Sequence, residues 1–294
     1  MWGLNPVPAN DSEDVMRDDL VVTMNGRDYA VECPWGTLPD GQVFGPVSQL
    51  AIDSNDRVYV FQRSNPPVLV FNSEGLLVDS WGEGEFSDAH GIFITTDDLV
   101  LLVDRDAHQI LACETSGTVR FRLGQRHRPR LNEPFNHPTD IAQAPNGDYY
   151  VSDGYGNSRV HCFSSDGTYR FSWGRPGDGP GEFTTPHAVW VDSAERVLVA
   201  DRENNRVQLF DLQGRFLESW SDFYHPMDIY ADRDGNVFVT DQIPRLSMLS
   251  PDGTLIGRCR PVLFGPHGVG GDAAGNLYLA ETAPLNCITR LTLL

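Results

Sequence analysis

The sequence has little of what marks several large classes of protein. Its 294 residues include only five cysteines, an odd number without a C-x-x-C pair, so neither a disulfide scaffold nor a cysteine-based zinc site is predicted. No apolar run approaches the roughly 20 residues that cross a bilayer. Lys and Arg total 22 against 41 Asp and Glu, for a net charge of −19, which repels phosphate backbones. We expect no membrane span, no nucleic-acid partner and no disulfide-linked partner.

The cysteines and the N-terminal segment indicate where the protein works. The isolated cysteines are typical of small core residues in a reduced compartment: Cys33, Cys113, Cys162, Cys259 and Cys287. Residues 1–19 are polar and acidic, and they lack the basic region and apolar core of a secretory signal. We therefore expect a flexible leader over residues 1–19, a single domain over residues 20–294, and a cytoplasmic protein.

Sustained helical periodicity is also missing, and an internal repeat takes its place. Short β-rich runs alternate with turns such as Pro145–Asp148, in which Asn and Gly allow the positive φ of tight hairpins. Each copy opens on a phenylalanine and, apart from the last, has four such runs. The openings recur every 40 to 49 residues: Phe44, Phe86, Phe135, Phe183, Phe223 and Phe264. Four short strands repeated at this length predict an all-β fold, a six-bladed β-propeller.

The two ends of the chain predict how the ring of blades closes. The last copy stops at Leu294 after three strands, and residues 25–36 resemble residues 166–174, a fourth strand. We therefore predict that an N-terminal strand completes the sixth blade, which hides the sheet edges.

Three histidines stand at one point of the repeat in every second copy: His90, His187 and His267. The intervening copies have Ser48, Thr139 and Met227 there. Alternate blades of a six-membered ring lie about a third of a turn apart, so the three imidazoles should converge on the axis. Neutral imidazole suits Zn²⁺ and other borderline divalent ions, and three protein ligands leave a position open for water or substrate. The alternative for each histidine alone is a hydrogen-bonded structural role.

The second strand of each blade should end on the same face as the histidines. Arg63 and Arg202 stand there and could hold a carboxylate or an oxyanion through their forked donors. Tyr155, between Gly154 and Gly156, could take a proton from a substrate. The alternatives are loop ion pairs for the arginines and rim packing for the tyrosine. The recurring acidic residues at these strand ends are predicted to be turn caps: Asp104, Asp153, Asp201 and Asp241.

Three further residues are candidates for substrate binding. His137 and His225 stand two residues before the ligand position in blades three and five, and Met227 occupies that position in blade five. For the two histidines the alternative is an ordinary loop position.

The repeat resembles NHL repeats, and three segments are similar to the catalytic core of peptidyl-α-hydroxyglycine α-amidating lyase: residues 151–159, 185–187 and 199–204. The resemblance runs from about residue 40 to the C-terminus. It implies a six-bladed propeller with zinc on His90, His187 and His267. It further implies that Tyr155 is the catalytic tyrosine and that Arg63 and Arg202 are the active-site arginines. The implied reaction splits N–CH(OH)–COO⁻ into an amide and an aldehyde such as glyoxylate.

The chain also departs from that family. The residue that would bind calcium, an Asp after the third histidine, is Gly268 here, so calcium is not expected. A methionine of the family's substrate pocket falls on Gly265, which implies a reshaped cavity. A half-cystine beside the tyrosine falls on Gly156, which agrees with a cytoplasmic protein.

Three functions follow as hypotheses. The leading one is a metal-dependent lyase that cleaves the C–N bond of a small N-(α-hydroxyalkyl) amide. The second is a metal-dependent hydrolase of a lactone, cyclic amide or imine at the same site. The third is a non-enzymatic platform for protein interactions. This hypothesis does not explain why histidines recur in alternate blades.

Overall fold

The computed structural model describes residues 20–261 and 264–294, and the predicted leader over residues 1–19 lies outside this range. The described residues form six antiparallel sheets. The first strand of each blade contacts the first strands of the neighbouring blades, so these six strands enclose the axis. The predicted all-β, six-bladed propeller is therefore confirmed. No helix in the described ranges is long and apolar enough to span a membrane.

Blades one to three each have four strands in chain order. Blade one contains β3 (Val47–Ile52), β4 (Val58–Gln62), β5 (Val68–Phe71) and β6 (Leu77–Trp81). Blade two contains β7 (Ala89–Ile94), β8 (Val100–Asp104), β9 (Gln109–Cys113) and β10 (Val119–Gly124). Blade three contains β11 (Asp140–Gln143), β12 (Tyr149–Asp153), β13 (Arg159–Phe163) and β14 (Tyr169–Trp173).

Blades four and five repeat this pattern, and blade six combines both ends of the chain. Blade four contains β15 (Pro186–Val191), β16 (Arg196–Asp201), β17 (Arg206–Asp211) and β18 (Phe216–Trp220), with a 3₁₀ turn at Arg202–Asn204. Blade five contains β19 (Pro226–Ala231), β20 (Val237–Asp241), β21 (Arg245–Leu249) and β22 (Leu255–Cys259). Blade six contains β23 (Pro266–Gly271), β24 (Leu277–Glu281), β25 (Cys287–Leu293), β2 (Arg27–Glu32) and β1 (Val21–Met24).

The ring closes as predicted, with one strand more than expected. Strand β2 pairs antiparallel with β25, from Tyr29 opposite Leu293 to Glu32 opposite Arg290. Strand β1 then pairs with β2 and gives blade six a fifth strand. Within residues 20–261 and 264–294 no other blade has a counterpart of β1, so comparing the copies could not predict it.

The hydrophobic core lies between the blades. The middle strands are buried along most of their length, and β4, with the sequence Val-Tyr-Val-Phe-Gln, is buried at every residue. Each middle strand lies between two neighbouring blades, so both of its faces must be apolar. The tryptophans that close the fourth strands pack into these clusters, as Trp220 does at the junction of blades four and five.

The acidic residues at the ends of the second strands are turn caps, as predicted. Asp104 Oδ1 accepts hydrogen bonds from the backbone N–H groups of Ser87 and Asp88, at 3.0 and 3.1 Å. Asp201 Oδ1 accepts one from Thr184 N at 2.8 Å. These bonds tie the end of a second strand to the loop that leads into the first strand, which positions the site described below.

The expectation that the cysteines are all core residues was wrong for Cys33. Cys113, Cys162 and Cys287 are buried and Cys259 is half-buried, but Cys33 is exposed. Cys33 follows β2 at the ring closure, where the chain leaves the sheet before it reaches the buried Trp35.

Candidate metal centre

The structure brings His90, His187 and His267 together on the propeller axis. They stand near the starts of β7, β15 and β23, in alternate blades. Their ring centroids are 5.0 to 5.2 Å apart, and one nitrogen from each ring lies within 4.8 Å of the others. All three are buried. A single ion about 2.1 Å from each nitrogen needs only small ring movements.

Each imidazole is held by a backbone carbonyl of the next blade. His90 Nδ1 lies 2.7 Å from Thr139 O. His187 Nδ1 and His267 Nδ1 lie equally close, at 2.7 Å, to Met227 O and Ser48 O. A carbonyl oxygen can only accept, so Nδ1 carries the proton in each ring and Nε2 keeps its lone pair. This is how metal-binding histidines are commonly oriented.

The protein surroundings keep these imidazoles neutral. Burial lowers the pKa of His90 well below its usual value, and the neighbouring imidazoles lower it further. Burial likewise lowers the pKa of His187, and it lowers that of His267 to about 4. The neutral imidazole is the form that binds a metal. The donor set, its tautomers and its charge state therefore fit a zinc-type ion.

Tyr155 lies against the open side of this centre. Its hydroxyl is 3.2 Å from His90 Nε2 and 3.0 Å from His187 Nε2. Arg202 Nη1 donates a hydrogen bond to the same oxygen at 3.2 Å. Tyr155 is 39% exposed, so a molecule from solvent can reach it.

Gly154, the residue before Tyr155, lets two chain segments lie very close together. A Cβ atom on Gly154 would collide with the carbonyl oxygen of Pro186. The φ of Gly154 is not in the left-handed region, so a positive φ is not the reason that a glycine stands here. The correct reason is that only glycine lets this loop lie on the chain segment that carries His187.

Two arginines contact Tyr155, and a third, Arg63, shares a carboxylate with one of them. Arg63 Nε and Arg105 Nη2 both bind Asp88, at 3.1 and 2.9 Å. The guanidinium carbons of Arg105 and Arg202 lie 5.4 and 5.3 Å from the tyrosine ring centroid. The sequence prediction selected Arg63 and Arg202 but not Arg105. The signal was present, since all three arginines directly follow the end of a second strand.

The loop ion pairs weighed as alternatives to an active role also occur. Arg202 binds Glu203 at 2.7 Å, and His225 Nδ1 lies 2.8 Å from the same carboxylate. His225 is therefore connected to Tyr155 through Glu203 and Arg202. An ion pair with a carboxylate also fixes the position of the guanidinium group. The ion pairs therefore do not exclude a role of these arginines in substrate binding.

The other two predicted substrate-binding residues have structural contacts. His137 stacks edge-on against His108, with ring centroids 4.3 Å apart, and Nδ1 contacts Asn136 at 2.9 Å. Met227 is buried, and its backbone oxygen orients His187. Its sulfur lies 3.4 Å from the amide nitrogen of Gln242. A contact of His137 or Met227 with substrate stays a prediction.

A second polar tier lies beside the histidines along the axis. Gln49, Asp140 and Asp228 directly follow the non-histidine positions Ser48, Thr139 and Met227. Gln49 Nε2 donates to Asp228 Oδ2 at 3.0 Å, whereas Asp140 Oδ1 is buried with no hydrogen-bond partner among the described atoms.

The calcium ligand set that the family resemblance implies does not fit this tier. The required carboxylate would stand at Gly268, where a Cβ atom would lie 2.9 Å from the Cα atom of Gln49. A side chain there would force the backbone of the neighbouring blade to move.

Comparisons with known proteins agree with this fold. Residues 137–243 match the model of the DUF5128 family, described as a 6-bladed beta-propeller. NHL repeat-containing protein 3 of Homo sapiens is 31% identical over 253 residues, which cover 79% of this chain and 72% of that protein. The chain belongs to the NHL-repeat proteins.

This NHL-repeat propeller is also similar to proteins with enzymatic names. A probable peptidyl-alpha-hydroxyglycine alpha-amidating lyase of Caenorhabditis elegans is 29% identical over 203 residues, which cover 60% of this chain and 58% of that protein. A gluconolactonase structure from Xanthomonas campestris has a TM-score of 0.70 at 13% identity, covering 92% of this chain and 91% of that one. The second likeness shows a shared fold alone. Proteins similar to this chain in sequence or in fold thus include one named as a probable lyase and one named as a gluconolactonase.

Proposed function

We propose that the protein is a metal-dependent lyase. It cleaves the C–N bond of a small N-(α-hydroxyalkyl) amide of the hydroxyglycine type into an amide and an aldehyde such as glyoxylate. The observation that carries the proposal is the position of the Tyr155 hydroxyl, within 3.2 Å of the Nε2 atoms of His90 and His187. A phenol beside an open three-histidine centre is placed to exchange a proton with a hydroxyl group bound there.

The arginines supply the binding site for the substrate carboxylate. Arg63 is anchored through Nε by Asp88 and by the carbonyl of Ala89, and its terminal N–H groups remain available among the contacts described. Arg202 is anchored by Glu203 and reaches Tyr155 through Nη1. Forked guanidinium donors bind a carboxylate with defined geometry. The substrate carbon that bears the hydroxyl is thereby held next to Tyr155.

A proton moves from the hydroxyl oxygen to the amide nitrogen during the reaction. A zinc-type ion on the three histidines would acidify the hydroxyl group. Tyr155, as phenolate, takes the hydroxyl proton, the carbonyl of the aldehyde forms, and the C–N bond breaks. The phenol then returns the proton to the departing nitrogen, so that no water is consumed. Arg105 and Arg202 face the ring at 5.4 and 5.3 Å and stabilise the negative charge of the phenolate.

A hydrolase remains the alternative, because an open metal position also suits a bound water. The charge of −19 supports a small molecule over nucleic acid as the partner. Action in the cytoplasm, inferred from the few and scattered cysteines, stays part of the proposal.

The test uses N-benzoyl-α-hydroxyglycine as substrate for zinc-loaded protein in ¹⁸O-labelled water. We expect benzamide and glyoxylate, with one metal ion per chain by elemental analysis. Tyr155→Phe should lower kcat/KM at least about 100-fold while it keeps its metal. His187→Ala should lose both the metal and the activity.

Tyr169→Phe is the control, since Tyr169 is exposed and begins β14, the outermost strand of blade three, whereas the three histidines lie on the innermost strands. Benzoate that carries solvent oxygen would identify a hydrolase. Wild-type protein with stoichiometric metal and no turnover, or full metal content in His187→Ala, would refute the proposal.

A further inference from the structure

Two cysteines meet where the ring closes. Cys33 follows β2 and Cys287 opens β25. Although 254 residues separate them in sequence, their sulfur atoms are 3.8 Å apart. Cys33 is an exposed residue, whereas Cys287 is 7% exposed. One residue of the pair is thus open to solvent and the other is buried.

The backbone around this pair is fixed on both sides. Residues 29–32 of β2 pair with residues 290–293 of β25. Two residues after Cys33, the backbone N–H of Trp35 donates to Ile288 O at 2.7 Å. The Trp35 side chain is 1% exposed and packs with Ile288. These contacts hold the two chain segments in register, so the sulfurs stay adjacent while their side chains rotate.

The position of the pair gives it structural importance. Blade six is the one blade of the described structure built from both ends of the chain. Its two parts are joined by the β2–β25 hydrogen bonds and by side-chain packing. A covalent bond at this place would connect the first described strands to the last.

We propose that Cys33 and Cys287 form a disulfide that locks the ring, made by exchange with a small-molecule disulfide. The sulfur of Cys33, the exposed residue, attacks as thiolate one sulfur of the small disulfide and releases one small thiol. Cys287 then attacks the Cys33 sulfur of the mixed disulfide and releases the second. Two protein thiols and one small disulfide become one protein disulfide and two small thiols, so that protons and electrons balance.

The geometry allows the bond to form without rearrangement of the sheet. A disulfide requires the sulfurs to approach from 3.8 Å to about 2.05 Å, which side-chain rotation can supply. A hydrogen bond with Cys33, together with burial, raises the pKa of the Cys287 thiol. Cys33, the accessible member, is therefore the thiol that reacts first. A reducing glutathione pool keeps the pair open, and an oxidising one closes it.

The experiment treats the full-length reduced protein with oxidised glutathione. Peptide mapping without reduction should show a cross-link between the peptides that contain Cys33 and Cys287. The oxidised protein should have a Tm about 10 °C higher, since the bond closes a very long loop of the unfolded chain. A reducing agent should reverse the shift.

Cys33→Ser and Cys287→Ser should each abolish both the cross-link and the shift. Cys259→Ser should retain them, because Cys259 ends β22 in blade five. Modification of Cys33 by glutathione without a link to Cys287 would overturn the proposal. A second outcome would also overturn it: the protein never forms the cross-link, but Cd²⁺ gives a thiolate absorption band that requires both cysteines. The two cysteines would then be metal ligands, and Glu281 could complete the site. Each readout is independent of enzymatic activity.

Discussion

At the scale of the residue, alternate blades supply different groups to the candidate metal centre. One set of blades provides the imidazoles, and the other set provides the carbonyls that orient them, at 2.7 Å in each case. The histidines could be predicted because a side chain that recurs at one point of a repeat is visible in the sequence. Their carbonyl partners could not, because every residue has a carbonyl group and only the fold selects which one is close. This explains why Ser48, Thr139 and Met227 can differ without loss of the function we assign to their backbone.

The paired carboxyl groups on the axis give a prediction at this scale. Burial raises the pKa of Asp140 well above its usual range, and the charge of Asp228 raises it further. Burial also raises the pKa of Asp228. Below about pH 4 these groups are protonated in both the folded and the unfolded states, so they cost no stability. As the pH rises, the unfolded chain loses its protons first, and the folded state becomes relatively less stable.

Asp140→Asn should therefore stabilise the protein more at pH 8 than at pH 5. The difference between the two pH values should be at least about 1.4 kcal/mol, the equivalent of one pKa unit. The amide keeps an acceptor for Val189 N, which binds Oδ2 at 3.0 Å, and its NH₂ group can replace Oδ1. Urea unfolding at the two pH values measures the effect, with the exposed Glu74→Gln as control. An equal change in stability at both pH values would contradict the assignment.

At the scale of the element, the ends of the second strands do two things. In blades two to five an Asp there caps the loop that precedes the first strand, and in blades one, two and four the next residue is one of the three arginines of the site. The pattern showed the caps because the acid recurs, but it did not distinguish Arg105 from an ordinary loop residue. That distinction depends on Asp88, which binds both Arg63 and Arg105 and whose position in space the repeat alone does not give.

The cap of blade four offers a test of how much these residues stabilise the propeller. Asp201 Oδ1 binds Thr184 N, and Oδ2 accepts from Arg206 Nε at 2.8 Å and from Gln208 at 3.1 Å. Asp201→Ala leaves the guanidinium of Arg206 without its buried partner, so it should lower the free energy of unfolding by about 3–5 kcal/mol. Asp211→Ala, in an exposed hairpin, should cost about 1 kcal/mol. Chemical denaturation measures both, and a loss below about 0.5 kcal/mol for Asp201→Ala would show that the cap is dispensable.

At the scale of the whole molecule, the closed ring makes the site possible. The three histidines come from positions 90, 187 and 267, and they meet because six blades return the chain to its starting point. The sequence predicted closure because residues 25–36 look like a fourth strand. It could not predict β1, which has no counterpart in the repeat, or the contact between Cys33 and Cys287, which depends on the register of β2 with β25.

The ring closure should also control where the propeller loosens first. Trp35 contacts Tyr278 of blade six and Phe71 of blade one, with ring centroids 5.0 and 5.8 Å apart. Trp35→Ala removes this side chain from the junction and should cost about 3–5 kcal/mol. We expect faster hydrogen exchange in β2 and β25, measured by mass spectrometry, with little change in blades three and four. Trp220→Ala, at the junction of blades four and five, should instead leave the exchange of β25 unchanged. The opposite outcome is that both variants accelerate hydrogen exchange equally in all six blades. The propeller would then open as one unit, and the junction closed by β2 and β25 would be no less stable than the others, because each junction would depend on all the rest.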